Sequence, residues 1–448
     1  MRNYELEVPI SKNNDALVKE NNKCITCGHC KKICTNDITV ASMFEINKNR
    51  EPICIDCGQC ANICPTEAIH EKFEYLNVKR ILKNKKGKVV VFSIAPAVRV
   101  ALGEEFGLTP GYNLENKIPT VLKKLGADYV FDITFGADLT IMEEATELVN
   151  KINNNLELPL FTSCCPAWVK YCEIFYPELI PNLSTAKSPI TMQSTIIKTY
   201  FAKKINVKPD DIINIVIAPC TAKKAEIKRK KINYTSWDTN YVLTTRELAL
   251  LLKEENIDMQ KVKDSSFDSP LGKGSSSGVI FGSSGGVCEA ALRTTYYLLT
   301  NKNLKKEELV FNSIRGMSGI KEAELRINKR VIKAAVCNGM KNAKYLIDKL
   351  LKKEVYYDFI EVMNCQGGCI AGGGQPKITL LDMKETKEIR MNSLYSEDEK
   401  MTLRLCHENP EIITLYKEFL EYPNSKKAIR LLHTKFYDKS SLLGGKNG

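Results

Sequence analysis

Residues 88–107 read Lys-Val-Val-Val-Phe-Ser-Ile-Ala-Pro and then Ala-Val-Arg-Val-Ala-Leu-Gly-Glu-Glu-Phe-Gly. A short apolar, β-branched run followed by an amphipathic one predicts a buried strand leading into a helix. The unit returns as ADYVFDIT (127–134) before LTIMEEATELVNKI (139–152), and as INIVIAP (213–219) before a basic helix. Strand–helix alternation predicts an α/β layered fold, with mostly parallel sheets flanked by helices. In such folds, loops leaving the carboxyl ends of strands are where sites are built. The pattern starts near Lys86, so a boundary is expected there, with a smaller α+β unit over 1–85.

That first unit carries an internal repeat. Cys24-x2-Cys27-x2-Cys30-x3-Cys34 returns thirty residues later as Cys54-x2-Cys57-x2-Cys60-x3-Cys64-Pro65. This is the spacing of bacterial two-cluster ferredoxins. Three thiolates on a tight loop reach three corners of one cubane, and the fourth cysteine starts a helix that points to the other. The expected sets are Cys24, Cys27, Cys30 and Cys64 for one 4Fe–4S cluster, and Cys34, Cys54, Cys57 and Cys60 for the second. Gly28 and Gly58 lie between ligands, where a chain wrapped around a cluster needs permissive backbone angles. Thr35 stands where the second repeat has Pro65, which removes no ligand. Zinc needs four tetrahedral ligands per site, and the doubled register makes it a poor competitor. Ferredoxin modules wire many redox proteins, so the repeat implies electron transfer without naming a reaction.

Three further cysteine segments follow strands or turns of the larger unit: Phe161-Thr-Ser-Cys164-Cys165-Pro-Ala-Trp168, Ala218-Pro219-Cys220-Thr-Ala-Lys223-Lys-Ala-Glu226, and Glu361-Val-Met363-Asn-Cys365-Gln-Gly-Gly-Cys369-Ile-Ala-Gly-Gly-Gly-Gln375-Pro376. A lone buried cysteine is often core packing. An adjacent Cys-Cys, a Pro-Cys turn and a Cys-x3-Cys closed by Gly372, Gly373 and Gly374 are harder to explain that way. Cys165, Cys220, Cys365 and Cys369 could hold a third cubane.

These segments closely resemble the signatures of iron-only (FeFe) hydrogenases, TSCCPxW, PCxxKxxE and ExMxCxxGCxxGGGQP. The resemblance extends through HENPEIITLYKEFLEYP (407–423) to LLHT (431–434). It implies reversible interconversion of two protons and two electrons with H2. It implies that Cys165, Cys220, Cys365 and Cys369 hold the 4Fe–4S part of an H-cluster. Cys369 would bridge to a two-iron unit carrying CO, cyanide and an azadithiolate. Lys223 would donate to a cyanide, with Pro219, Ala97, Ser188 and Met363 as further cofactor contacts. Protons would pass along Glu147, Ser184, Glu144 and Cys164. From the residues alone, Glu144 and Glu147 read better as a solvated acidic face with a Glu147–Lys151 pair, and Lys223 as a solvated lysine. Ala218, Ile190 and Ala97 depart from residues frequent in the family and resemble a divergent subgroup. The implied organisation is a two-cluster module at 1–85, a two-lobed catalytic domain at 86–376 and a wrapping C-terminal helical segment at 377–448.

Composition agrees with an ordinary globular chain of 448 residues, 44% apolar and 26% charged. Its apolar runs are too short to span a bilayer, and its N-terminus resembles no export signal, so the expected compartment is the cytoplasm. Seventeen cysteines in a reducing compartment point to metal ligation over disulfides. The net charge of +12, with lysine runs at 79–88 and 223–231, reads first as solvated surface. Its functional reading is attraction of an acidic carrier, a low-potential ferredoxin or flavodoxin. No nucleic-acid motif accompanies the charge. Maturation proteins are implied as further partners. A non-catalytic iron–sulfur assembly protein and a hydrogen sensor are the competing functions. Cys172, Cys288, Cys337 and Cys406 lack ligand spacing and read as core. None of the four histidines reads as catalytic.

Overall fold

The computed structural model describes residues 6–44, 51–327, 329–379 and 381–444. The opening pentapeptide of the N-terminal stretch read above lies outside them. β1 (Leu17–Lys19) pairs antiparallel with β2 (Ile69–Glu71), so this hairpin-like pair brackets the cysteine repeat. The larger part contains β3 (Val89–Ile94), β4 (Tyr129–Asp132), β5 (Leu160–Phe161), β6 (Ile212–Ala218), β7 (Tyr241–Thr244), β8 (Ile320–Ile327), β9 (Arg330–Asn338) and β10 (Phe359–Met363). One sheet, in the order β4-β3-β6-β7, is parallel throughout. The other runs β5-β10-β9-β8. There β10 is parallel to both β5 and β9, whereas β8 and β9 are antiparallel.

Val90, Val91, Phe92 and Ile94 of β3 are fully buried, as expected of a central parallel strand covered on both faces. The antiparallel pair escaped the sequence reading. In Ile320–Ile327 buried and exposed residues alternate, because this edge covers the core with one face only. Two expected helices are shorter than their amphipathic patterns. Pro96–Arg99 is one turn, followed by a 3-10 segment over Leu102–Phe106, and the basic helix is only Ala222–Glu226.

The 79–88 lysine run lies at the surface, but the start of the second run does not. Lys223 and Lys224 are buried, the latter paired with Glu247 at 2.8 Å and Glu74 at 3.1 Å. Lys228 meets Asp15 at 2.9 Å. In the other run, Lys79 pairs with Glu254 and Glu255, and Lys85 with Asp128. Lys79, Lys85 and Lys228 thus stay at the surface in ion pairs, and of these lysines only Lys223 and Lys224 go inside the fold. Cys172, Cys288, Cys337 and Cys406 are core residues as expected. Among the described residues no helix is long and apolar enough to cross a membrane.

The Met383–Lys400 helix seats Met391 and Leu394 in an apolar cluster and adds buried ions. Buried Asp398 meets Arg293 at 3.1 Å, Arg315 at 2.6 Å and Arg404 at 2.9 Å, and accepts from Ser276 Oγ at 2.6 Å. Burial works against its charge, but Arg293 foremost, then Ser276 and Arg404, hold its carboxyl far below the usual range. Next to it, Glu397 accepts from Arg99 at 2.8 Å, and Arg99 also holds Asp132 at the end of β4 at 2.5 Å. Removing one member of a buried ion cluster leaves its partners uncompensated. Asp398→Ala should thus destabilise the chain by about 3–5 kcal/mol, read as a drop in the denaturant midpoint. The exposed neighbour Glu399→Ala should change it by less than about 0.5 kcal/mol. Equal, small shifts in both would show that the cluster does not anchor the helix.

Candidate active site

The local backbone of the cysteine repeat is itself repeated. Gly28 and Gly58 have φ of +81° and +71°, and Thr26 and Asp56, each one residue before the second cysteine of its motif, have φ of +51° and +62°. Each loop thus curls through two left-handed residues, which faces its thiols inward. Cys24, Cys27, Cys30 and Cys64 line one small cavity. Cys54, Cys57 and Cys60 are electrostatic neighbours, with Cys34 beside Cys54 and Cys60. These are the two sets expected from the spacing. Cys60 also senses Cys30, and Cys57 senses Cys365, so sulfurs continue from one set to the next and on into the larger part.

There a second, larger cavity sits where both sheets end. Its walls come from the carboxyl ends of five strands: Ala95, Pro96 and Ala97 after β3, Ile133 after β4, Cys164 and Cys165 after β5, Pro219 and Cys220 after β6, and Asn364 and Cys365 after β10. Cys369, Met363, Lys223, Ile190, Ala218 and Phe281 are also among the lining residues. The three positions that depart from the family's common residues all face this space. Ser188 does not line it; its hydroxyl lies 3.2 Å from Thr191 Oγ1, and the adjacent Pro189 takes the wall position.

Local sequence explains how the thiols reach the cavity. Pro166 occupies the first turn of the Pro166–Phe175 helix, and Cys165 is its N-cap. Burial pushes the Cys165 thiol up, and the backbone of Asn364, Trp168 and Ala167, with Lys223, works against that rise without cancelling it. The second and third segments meet backbone to backbone. A Cβ on Gly372 would lie 2.2 Å from the Pro219 carbonyl oxygen, and Gly374 N donates to that oxygen at 2.8 Å. Cys220, Cys365 and Cys369 sense Cys165 and one another. Burial foremost, and then neighbouring thiols, push Cys365 up to about 11 and Cys369 up to about 12. None of the cysteines is in a disulfide. Four crowded, desolvated thiols are poor hosts for four free negative charges, but a metal cluster deprotonates and neutralises them together. The donor set thus fits an iron–sulfur cubane.

Among the described residues, Lys223 is the one cation lining this cavity. It is 8% exposed, pairs with Glu226 at 2.8 Å and donates to the Cys164 carbonyl at 2.9 Å. Burial disfavours its charge, yet Glu226, Cys220 and Cys164 more than offset this and raise its pKa above that of an ordinary lysine. A charged ammonium held against an apolar wall suits an anionic group in the cavity.

Cys164, Glu144, Ser184 and Glu147 lie in sequence leading away from it. Glu144 raises the pKa of Cys164, after burial. The Ser184 hydroxyl reaches Glu144 and donates to Glu147 Oε2 at 2.9 Å. Glu147 also accepts from Thr185 N at 3.2 Å, whereas Lys151 turns to the Glu157 carbonyl at 3.1 Å. The solvated acidic face with a Glu147–Lys151 pair is thus not what forms. Glu144 is buried, and its Oε2 has no partner. Burial, then repulsion by Glu147, pushes its pKa up to about 8.

Two acidic groups near the site went unread. Glu361 is fully buried and accepts from the backbone N–H groups of Gly285 (2.6 Å) and Cys288 (2.8 Å), at the start of the Gly286–Thr300 helix. Glu143 accepts from Asn424 N at 2.8 Å and lies 3.0 Å from His433 Nε2. Their partners are remote in sequence, so only the in-motif position of Glu361 hinted at it.

Residues 88–373 match the family model described as "Iron only hydrogenase large subunit, C-terminal domain", 384–439 match "Iron hydrogenase small subunit", and 52–70 match "4Fe-4S binding domain". Iron hydrogenase 1 of Clostridium pasteurianum is 40% identical over 443 residues, 95% of this chain and 77% of that protein. The NADP-reducing hydrogenase subunit HndD of Solidesulfovibrio fructosivorans is 40% identical over 99% of this chain and 77% of its own. The structure of apo HydA1, an FeFe hydrogenase from Chlamydomonas reinhardtii, superposes with a TM-score of 0.72 at 38% identity, covering 82% of this chain and 99% of that one. A more distant relative, cytosolic iron-sulfur assembly component 3 of Bos taurus, is 29% identical over 83% of this chain. With its cysteines converging where both sheets end, and with that family model spanning most of its length, the chain belongs to the iron-only (FeFe) hydrogenases, oxidoreductases that act on hydrogen with iron–sulfur cofactors.

Proposed function

We propose that this chain interconverts protons, electrons and H2 at the larger cavity, and that electrons and protons reach it by separate routes. The observation that carries this is the convergence of Cys165, Cys220, Cys365 and Cys369 on an apolar space beside Lys223. In this reading these four hold the cubane of the H-cluster, and Cys369 also holds the two-iron unit. When bound, that cofactor supplies the metal chemistry that makes and breaks the H–H bond.

The protein's own part is orientation, exclusion of water and proton handling. Lys223 offers its ammonium to an anionic ligand of the cofactor, with Pro219, Ala97 and Met363 packing beside it. Protons move along Glu147, Ser184, Glu144 and Cys164. Glu144 suits the role, because a carboxyl with pKa near 8 carries a proton at neutral pH and can still release it. The N-terminal sets, Cys24, Cys27, Cys30 and Cys64 and then Cys34, Cys54, Cys57 and Cys60, hold two 4Fe–4S clusters that deliver electrons. The functional units are 1–85, 86–376 and 377–448. Maturation proteins insert the two-iron unit, a ferredoxin or flavodoxin carries the electrons, and the cytoplasm is the compartment. A chain that bound cubanes alone in cluster assembly would leave Cys164 and the unpaired oxygen of Glu144 without work.

Anaerobically matured protein should show infrared bands of metal-bound CO and cyanide; full iron content without them would favour the assembly role. Cys164→Ala should keep all its iron and lose about two to four orders of magnitude in turnover, as expected when a positioned proton donor is removed. Cys165→Ala should lose large-domain iron instead. A fully loaded Cys164→Ala enzyme near the wild-type rate would end the relay assignment.

Glu144 also links stability to pH. Its pKa is raised from 4.5 to about 8 in the folded chain, so folding favours its neutral form. That contribution is full below about pH 4.5 and is lost progressively as pH rises to about 8. Glu144→Gln stays neutral, so its melting temperature should fall less than that of the wild type across this interval. Parallel curves would mean that Glu144 ionises without penalty.

A further inference from the structure

Gln59 lies between Cys57 and Cys60, yet its side chain leaves the repeat. Its Nε2 donates to Cys365 Sγ at 3.1 Å and to the Ala371 carbonyl at 2.9 Å. The second bond settles the orientation of the amide, because turning it would set Oε1 against that carbonyl. The reach is fixed by the backbone seam around it. A Cβ on Gly58 would lie 2.4 Å from Thr221 Oγ1 and 3.1 Å from Gly373 Cα, and one on Gly373 would lie 2.2 Å from the Cys57 carbonyl oxygen. Thr221 Oγ1 donates to the Asp56 carbonyl at 2.6 Å, and Asn62 Nδ2 to the Gly372 carbonyl at 3.1 Å. Two further groups face the same sulfur: Asn364 Nδ2 at 3.5 Å and, more remotely, the ammonium of Lys387.

We infer that Gln59 is a positioning residue that raises the reduction potential of the large-domain cubane through its N–H···S bond to Cys365, making that cubane a better acceptor for electrons from the N-terminal module. This rests on reading Cys365 as a cubane ligand. Reduction adds one electron, with no bond made or broken, and increases negative charge on the ligand sulfurs. A donor aimed at one of those sulfurs therefore stabilises the reduced state more than the oxidised one. The donor comes from the loop that holds the neighbouring cluster, so the two redox centres are coupled by this contact as well as by proximity.

The test uses the full chain, reconstituted anaerobically with iron and sulfide and titrated potentiometrically with detection by electron paramagnetic resonance. The large-domain signal is identified as the one missing from Cys220→Ala. Gln59→Leu keeps the bulk but removes the donor, and should shift that midpoint to lower potential with the N-terminal midpoints unchanged. Gln59→Lys restores a donor with added charge, and should shift it to higher potential than in the wild type. An unmoved large-domain midpoint in a fully loaded variant, or a joint shift of all signals, would overturn the inference. Should Gln59→Leu lose iron, the Lys variant decides: an upward shift supports the role and none refutes it. A wild-type chain with no signal lost in Cys220→Ala would overturn the cluster reading, and this inference with it.

Discussion

Everything in this molecule answers to the cost of placing four thiols and one ammonium together in an apolar space. Isolated buried charges are expensive, so the groups are tolerable only if they are anchored at strand ends, Cys165 after β5, Cys220 and Lys223 after β6, Cys365 and Cys369 after β10, and neutralised by a shared ligand. That explains why the cavity is built from loops of two separate sheets. A single sheet offers one row of carboxyl ends, whereas two facing rows can surround a ligand. The same cost explains the Lys223–Glu226 pair, which keeps the ammonium charged when burial would discharge it.

The alternation that begins at Val89 made the parallel sheet legible, and the spacing of the repeat made both thiol sets legible, because local geometry decides each. The Cys165, Cys220, Cys365 and Cys369 grouping was legible mainly as a resemblance. No spacing rule joins loops two hundred residues apart. The β8–β9 pair was missed because its alternating pattern, Lys321-Glu322-Ala323-Glu324-Leu325-Arg326, looks like an exposed helix as easily as a half-covered strand. The burial of Lys224 was invisible for a related reason: its partners Glu74 and Glu247 lie far from it in the chain. Ser188 rests on resemblance alone, and its hydroxyl lies 3.2 Å from Thr191 Oγ1 within its own turn.

Ionic contacts add to the apolar seat of the C-terminal helix. Asp398 and Glu397 are consecutive, and they answer to different arginines: Asp398 to Arg293, Arg315 and Arg404, Glu397 to Arg99 in the turn after β3. The helix can thus be fixed in rotation, since turning it by one residue would exchange the two carboxylates between unequal partners. Specificity of this kind is a recognised use of buried charge, even where the net stabilisation is small.

The seam between Gly58 and Gly373 has a bearing on how such chains diversify. Main chain touches main chain there, and a single methyl group on either side has no room. Another cysteine-repeat segment placed here would meet this surface with its own loop and could seat only if it offered the same bare backbone. The cysteine-repeat segment and the larger part therefore constrain each other's main chain at this point. Elsewhere on their boundary, where side chains such as Lys228 and Asp15 meet, drift is free to continue.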